Sequence, residues 1–535
     1  MTLRHPLFRE AVLSAAAAAC VAAMLAWLGP PGTDFAAHAY QRTLFLEHGF
    51  TLWNNFWYAG RYSFITYSLV YYPLAALLGI RLLAVATVAL AALAFAVVLW
   101  REWGPTTRWS SRTFAVVWAG IVLSAAFPFA LGIAFALLAL WALQSGARWR
   151  AVALAALTLA ASPLAFLLLV VLLAGVALAR RDALRRNWVP IAGVCIAALI
   201  EIALWRMFPA GGQFPFSGPE FAAGLVFCIV CLALTWRVES ARVLRFFFAV
   251  YLLALIGVYL VPSSVGENVA RMRYAAIPLV VLIFSLRRWR PLLVGIVATT
   301  LAVSWNVTPL AWSYVHGQSD ATVRSSSWDG AIAFLRVNLG PSYRVEAVDT
   351  STHSAAVYLA EAGIPLARGW YRQDDFPQNE VLYDTLGAKT YRAWLRGLGV
   401  EYVVLPHAET DYSSRSEAKL VRSGRAGLVP VFWTRYLTIY KVPYAQPMIT
   451  GPGHPRLTEL TDSGMDAVLP RGGTYRVAVR WSPYWHTSLG CLSKGKDGML
   501  RVSTLRPHFV RLRFKVGATR ALEELAGQQP TCKLP

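Results

Sequence analysis

Long apolar stretches recur through the first 310 residues, and every second connector between them carries arginine. That pattern leaves few folds open. About 20 apolar residues cross the hydrocarbon core of a bilayer as a helix, and short loops rich in Arg or Lys stay on the cytoplasmic side. With Arg4 and Arg9 inside, spans are expected near 11–29, 81–100, 113–128, 131–146, 151–163, 164–180, 189–206, 221–237, 245–261, 274–286 and 291–310. The connectors holding Arg101, Arg108 and Arg112, then Arg148 and Arg150, then Arg180 to Arg186, then Arg237 to Arg245, then Arg287 to Arg290, all fall inside. About eleven crossings then carry the tail to the outside. Pro128 and Pro163 stand near the middle of 113–146 and 151–180, where they mark either a turn between two spans or a broken, re-entrant helix. Parity is sensitive to this choice, because one hairpin fewer inverts everything after it. The first stretch has a basic start and an Ala-rich core, and reads as a retained signal anchor.

Composition agrees: 57% of residues are apolar and the mean hydropathy is +0.48, above the range of soluble globular chains. The formal net charge of +22 does not point to nucleic acid, since the arginines sit in topology-setting loops and form no basic patch with interleaved aromatics. All lysines lie at or beyond Lys389, so the membrane half uses arginine alone, as in a GC-rich genome.

Two segments are too long to be connectors. Residues 30–80 mix Asp34, His38, Arg42, Glu47 and His48 with Trp53, Trp57, Tyr58, Tyr62, Tyr67, Tyr71 and Tyr72. Such a first outer loop is expected to lie along the membrane interface with its rings at headgroup depth, and a simple aromatic belt is the plainer reading of each ring taken singly. Residues 312–535 form a soluble domain, giving two domains, 1–311 and 312–535. Helices are expected over Ala331–Leu339 and His353–Ala362, and strands over Tyr343–Val348 and Tyr402–Leu405. Alternation in Tyr475–Val479 and Val510–Lys515 predicts a β-rich, sandwich-like part.

Cys20, Cys195, Cys228 and Cys231 lie in apolar spans, where a thiol acts as a small hydrophobe. Cys228 and Cys231 have CxxC spacing but no second ligand pair. Cys491 and Cys532 stand in the tail, and an exported domain favours a disulfide between them.

Chemistry concentrates in outer loops. Asp34 is a lone carboxylate just beyond the first span. Arg271 and Arg273 fall on the outer side against the positive-inside trend, and planar guanidinium forks suit a phosphate. The alternative is that Glu267 neutralises one arginine while the other snorkels to water.

The run Gly32-Thr33-Asp34-Phe35-Ala36-Ala37-His38, followed by Leu52-Trp53-Asn54-Asn55-Phe56-Trp57-Tyr58-Ala59-Gly60, resembles the first extracytoplasmic loop of bacterial 6-pyruvoyl-tetrahydropterin-synthase-related membrane proteins. Those in turn resemble the glycosyltransferase C superfamily, multi-span enzymes that use polyprenyl-phosphate sugars. The likeness includes Gly266-Glu267-Asn268 with Arg271 and Arg273, and reaches Gly363 to Asn379, which is similar to actinobacterial members. The pterin chemistry in the family label has no counterpart, because no zinc-binding histidine cluster is present.

The resemblance implies a glycosyltransferase C-like polytopic helical core with an extracytoplasmic mixed α/β and β-rich domain, in the plasma membrane. It implies that Asp34 is the catalytic acid of the first outer loop. His38 would orient Asp34 or the acceptor, and Arg271 and Arg273 would hold the donor phosphate. Trp53, Asn54, Trp57 and Tyr58 would position donor or acceptor. Many members carry a second acid, whereas this chain has Thr33 beside Asp34, so Glu47, Glu220 and Glu267 are the candidates for that role. A divalent cation held through Asp34 is an alternative arrangement. The donor implied is a polyprenyl-phosphate sugar, arabinofuranosyl or mannosyl, and the acceptor a cell-envelope glycan or glycolipid. A transporter or flippase for a lipid-linked glycan and a non-catalytic scaffold are the competing classes. A transporter is expected to place ionisable residues in mid-span, and few are found there.

Overall fold

The computed structural model describes residues 6–181, 187–209, 212–528 and 532. Arg4, Arg185 and Arg186 of the sidedness argument lie outside the described residues. The chain divides into two compact units. The first comprises Met1–Phe35, Tyr67–Ile202 and Gly212–Gln318, and the second Ala36–Thr66, Ala203–Gly211 and Ser319–Pro535.

The first unit is helical throughout its apolar stretches. Eight helical stretches among the described residues have the length and apolar character to cross a membrane, and one of them, Ile80–Ser124, takes in the expected span 81–100 and most of 113–128. Arg148–Ala161 and Pro163–Ala179 are shorter apolar helices. The chain is thus a multi-pass membrane protein, while a count of eleven crossings exceeds what helix length alone supports. Pro128 and Pro163 fall in the first turn of Phe127–Gln144 and Pro163–Ala179. There the missing N–H costs no helical hydrogen bond and the fixed φ favours the start of a helix. Both prolines therefore begin helices rather than kink them. The last helix, Leu292–Ser319, continues beyond the expected end near 310 and includes Pro309.

Small residues allow the helices to approach closely. A Cβ at Gly132 would stand 2.5 Å from the Cβ of Ala165, and one at Gly175 would stand 2.6 Å from the Cα of Phe247, the kind of contact that packs helices where no hydrophobic force separates protein from lipid. Buried Glu10 accepts two hydrogen bonds from Arg112, at 2.9 and 3.0 Å, tying the first helix to Arg108–Trp118. Trp109, Trp149, Trp188, Trp236 and Trp289 are exposed, and all neighbour the arginine connectors. That placement suits anchoring at one membrane–water interface.

The second unit contains a mixed four-stranded sheet and a β-sandwich. In the mixed sheet Arg344–Ala347 pairs in parallel with Val400–Pro406, which pairs antiparallel with Leu437–Lys441, followed by Val429–Trp433. Helix Ala388–Leu398 buries Tyr391, Leu395 and Leu398 on one face and ends at Gly399, whose φ of 76° is a left-handed cap. The sandwich has one sheet in the order Cys491–Lys494, Met499–Thr504, Gly473–Arg480, Ile449–Thr450, and another in the order Trp485–Thr487, His508–Phe514, Gly464–Leu469, Arg456–Thr461. Tyr475, Val477 and Val502 from the first sheet share a core with Met465, Ala467, Val510 and Leu512 from the second, as the alternation in the sequence predicts. Cys491 and Cys532 are joined, with Cα atoms 5.3 Å apart.

The first outer loop corrects the sequence reading. Residues 36–66 cluster with the C-terminal residues rather than with the membrane helices, so their rings do not form a headgroup belt. Trp53 is 1% exposed, stacks on Phe514 with ring centroids 4.8 Å apart, and donates from Nε1 to Asn55 Oδ1 at 2.7 Å. Asn55 in turn donates to Thr461 O at 2.8 Å. Asn54 accepts from Phe56 N at 2.7 Å and donates to Tyr40 Oη at 3.0 Å. Trp57 donates to Ala356 O at 2.9 Å, and Tyr58 Oη accepts from Tyr371 N at 2.8 Å. Burial pushes the Tyr58 phenol well above its ordinary range, helped by Asp375. An amphipathic aromatic run satisfies a protein core as readily as a membrane interface, and here the core takes it.

Candidate active site

Asp34 is held by backbone contacts before its side chain is considered. The loop after Pro6–Leu28 docks on the turn at 121–125: Thr33 N donates to Leu123 O at 3.3 Å and Asp34 N to Ser124 O at 3.0 Å. Ser313 Oγ donates to Leu123 O at 2.7 Å, so the 2.8 Å contact between Thr33 Oγ1 and Ser313 Oγ has Thr33 as donor. A Cβ at Gly32 would lie 2.6 Å from Val122 O, which makes glycine the residue that permits this approach.

The Asp34 carboxylate meets a guanidinium. Arg271 Nη2 donates to Asp34 Oδ2 at 3.3 Å, with the two side chains 18% and 23% exposed. Arg271 lies in the 3-10 segment Gly266–Met272, and its guanidinium carbon stands 5.6 Å from the centroid of Phe129.

Arg273 behaves differently. Residues two apart on a helical turn point to different faces. Arg273 Nη1 donates to Glu220 Oε1 at 3.0 Å, and the same oxygen accepts from Trp305 Nε1 at 2.8 Å. Asn306 Nδ2 donates to Arg273 O at 2.8 Å. The result is a clamp joining Gly218–Thr235, Arg273–Leu286 and Leu292–Ser319.

The other candidate acids are also placed elsewhere. Glu267 accepts from Ser217 Oγ at 2.7 Å, while Arg271 pairs with Asp34 and Arg273 with Glu220 rather than with Glu267 as the alternative reading supposes. Glu47 is 60% exposed near the end of Phe35–His48, about 20 Å along that helix from its start. Its neighbour His48 contacts Asp462 at 2.9 Å. His38 lies in the first turn of the same helix, fully buried, in the second unit. The structure therefore brings Asp34 and Arg271 together; His38 lies four residues along the chain from Asp34 in the helix Phe35–His48, and Glu47, Trp53, Asn54, Trp57 and Tyr58 belong to the second compact unit.

A cavity of about 840 Å³ opens beside Arg271 within the membrane unit. Its walls are mostly apolar, including Phe95, Leu99, Ile133, Leu168 and Leu172, and it follows the helix Phe127–Gln144 from Phe129 to Gln144. Fifteen steps of 1.5 Å make that run about 22 Å, most of a hydrocarbon core. Arg101, Glu102 and Arg180 line it as well, and Arg180 pairs with Glu102. Sequence reasoning missed these lining residues, because apolar side chains on apolar helices carry no mark of which face borders a cavity.

Among the described residues no group of three His, Cys, Asp or Glu side chains is placed to hold a metal ion.

No family profile matches the chain, and no curated protein matches it. The fold is similar to the arabinofuranosyltransferase AftD from Mycobacteria, at a TM-score of 0.48 and 17% identity over 84% of this chain and 41% of that one. A variant of the same mycobacterial protein gives a TM-score of 0.49 and 13% identity over 96% of this chain and 60% of that one. The Archaeoglobus fulgidus oligosaccharyltransferase, solved with zinc and sulfate, gives 0.33 and 14% over 74% of this chain and 68% of that one. This chain spans less than two thirds of the length of the mycobacterial protein in both comparisons.

Proposed function

We propose that this chain is a membrane glycosyltransferase of the glycosyltransferase C kind, which moves a sugar from a polyprenyl-phosphate donor to a cell-envelope glycan or glycolipid on the outer face of the plasma membrane. The observation that carries the reading is the Asp34–Arg271 pair, whose arginine borders a long apolar cavity inside the membrane unit. A base, a phosphate-binding cation and a lipid-sized cavity are what such a transfer requires of the protein.

The acceptor hydroxyl oxygen attacks the anomeric carbon as the bond from that carbon to the phosphate oxygen breaks. Asp34 takes the hydroxyl proton. The phosphodiester leaves as polyprenyl phosphate, a monoester with one more negative charge, which Arg271 stabilises by charge-assisted hydrogen bonds. The Arg271 fork has five N–H donors, so it can turn from the carboxylate to the phosphate without leaving the site. The polyprenyl chain occupies the cavity along Phe127–Gln144. Arabinofuranose and mannose are the sugars to try first, and the C-terminal unit is read as extracytoplasmic.

The test is transfer from polyprenyl-phosphate arabinofuranose and polyprenyl-phosphate mannose by the purified chain. Asp34→Asn keeps the shape and removes the proton acceptor, so transfer should fall by about 10² to 10⁴. Transfer near the wild-type rate would remove Asp34 from the base role and favour the scaffold reading. Charged residues at Arg101, Glu102 and Arg180 on the same cavity favour a flippase as the second reading, which predicts lipid translocation that is indifferent to Asp34→Asn.

A further inference from the structure

The chain order of the mixed sheet in the second unit creates a topological switch. After Arg344–Ala347 the chain passes through helix Ser354–Glu361 to Leu366, which bridges in parallel to Val345 on one side. It then returns through helix Ala388–Leu398 to Val400–Pro406, which pairs in parallel on the other side. Successive crossovers in opposite directions separate the loops at the carboxyl ends of the two strands, the place where open α/β sheets bind ligands. In this chain the loops 348–353 and 407–413 leave those ends. They are tied by Asp411 N to Asp349 O at 3.0 Å and Ser351 N to Glu409 O at 3.1 Å.

Buried polar atoms collect at this point. His353 is fully buried with φ at 56°, a left-handed backbone that non-glycine residues adopt rarely and often at functional positions. Its Nδ1 meets Asp349 Oδ2 at 2.7 Å, whereas its Nε2 has no hydrogen-bond partner among the described residues. Ser351 Oγ and Ser413 Oγ, one from each loop, are likewise buried without a hydrogen-bond partner among the described residues. A buried polar atom left without a partner keeps its full desolvation penalty, and native interiors hold few of them.

Planar groups build outward from the histidine. The His353 ring stacks on Trp370. The Arg372 guanidinium carbon is 4.7 Å from the Trp370 centroid and 4.3 Å from that of Tyr412, and Arg372 Nη2 donates to Asp411 Oδ1 at 2.8 Å. Tyr412 is 54% exposed and also meets Tyr383 edge-on, with ring centroids 6.1 Å apart, so the group of rings reaches the surface at Tyr412.

The charge balance selects the ligand class. Among the described residues Asp411 already matches Arg372, and Glu346 with Glu417 matches Arg368, so these guanidinium groups offer no free charge to an anion. Carboxylates accept hydrogen bonds from hydroxyls, and an exposed ring receives an apolar C–H face. We propose that Asp349, His353, Asp411 and Tyr412 form a binding site for a neutral glycosyl unit in the C-terminal unit. This deepens the transferase reading by giving that unit the acceptor glycan to hold, and its binding step does not require transfer.

Saturation-transfer NMR on the full chain in detergent, with methyl α-D-mannopyranoside and methyl α-D-arabinofuranoside as probes, tests the site. Magnetisation should reach the ring protons of at least one glycoside. Tyr412→Ala, at an exposed position, should weaken binding roughly threefold to tenfold, Asp349→Asn should also weaken it, and Asp34→Asn should leave it intact. If Asp349→Asn does not fold, Tyr412→Ala decides. No transfer to either glycoside in the wild-type chain would overturn the proposal. So would a signal unchanged in Tyr412→Ala, or one lost in Asp34→Asn. The assay of transfer reports separately on Asp34, so a silent glycan site with an active membrane unit, or the reverse, is recognised as such.

Discussion

Arginine meets carboxylate in both units, and the two settings differ in how fully the charges are enclosed. In the C-terminal unit Arg368 donates from Nε to Glu346 Oε1 at 2.8 Å, and from Nη2 to Glu417 Oε2 at 3.0 Å and Ser414 Oγ at 2.7 Å. Tyr391 donates to the remaining Glu417 oxygen at 2.7 Å. Arg368 is 6% exposed, and both glutamates are fully buried. Burial pushes the Glu346 carboxyl well above its ordinary range even though Arg368 pulls it down. In the membrane unit Asp34 and Arg271 share a longer contact of 3.3 Å, and each keeps about a fifth of its surface open. A closed network fixes shape, because any change leaves an uncompensated buried charge. A looser pair beside a cavity keeps the capacity to exchange one partner for a ligand.

The largest effect should come from opening the closed network. Arg368→Met strands Glu346 and Glu417 and should destabilise the C-terminal unit by about 3–5 kcal/mol, read as a lower Tm. Arg271→Met should cost about 1 kcal/mol or less, as for a partly open ion pair. Equal losses would erase the distinction between the two settings.

A smaller effect should appear in acid. Burial raises the Asp411 carboxyl, but Arg372 and then His353 outweigh it and hold the group well below the usual carboxylate range. A carboxylate depressed in the folded state contributes stability that is fully present above its unfolded pKa, about 3.9, and is lost as pH falls through the folded value. Thermal unfolding between pH 6 and pH 2.5 should therefore show an acid-side loss that is shallower in Asp411→Asn. An identical slope in the variant would show that Asp411 does not supply this linkage.

The sequence made the helices legible through the length of its apolar runs, while Pro128 and Pro163, read there as a turn or a break within a helix, stand in the first turn of two helices. Strand alternation likewise revealed Tyr475–Val479 and Val510–Lys515. The fate of the first outer loop was hidden, because Trp53 and Phe514 meet across some 460 residues of chain and an aromatic run reads the same in a core as at an interface. Asp34 and Arg271 were legible as charges in outer loops. The separation of Arg271 from Arg273 was not, since it depends on Glu220 and Trp305 arriving from distant helices. His353 carried no signal beyond the start of a helix, as its left-handed backbone and buried partners arise only when two strand ends meet.

The central claim is that Arg271, and not Arg273, receives the donor phosphate. Equilibrium binding of polyprenyl phosphate to the purified chain, with thermal unfolding of the same samples, tests it most directly. Arg271→Ala should weaken binding by about 10- to 100-fold, the worth of a charged hydrogen bond, with little change in Tm, and Arg271→Lys should fall between because it keeps charge without the fork. Arg273→Ala should lower Tm while its folded fraction binds as before. Unchanged affinity in Arg271→Ala, or a loss of affinity in folded Arg273→Ala as large as in Arg271→Ala, would contradict the account.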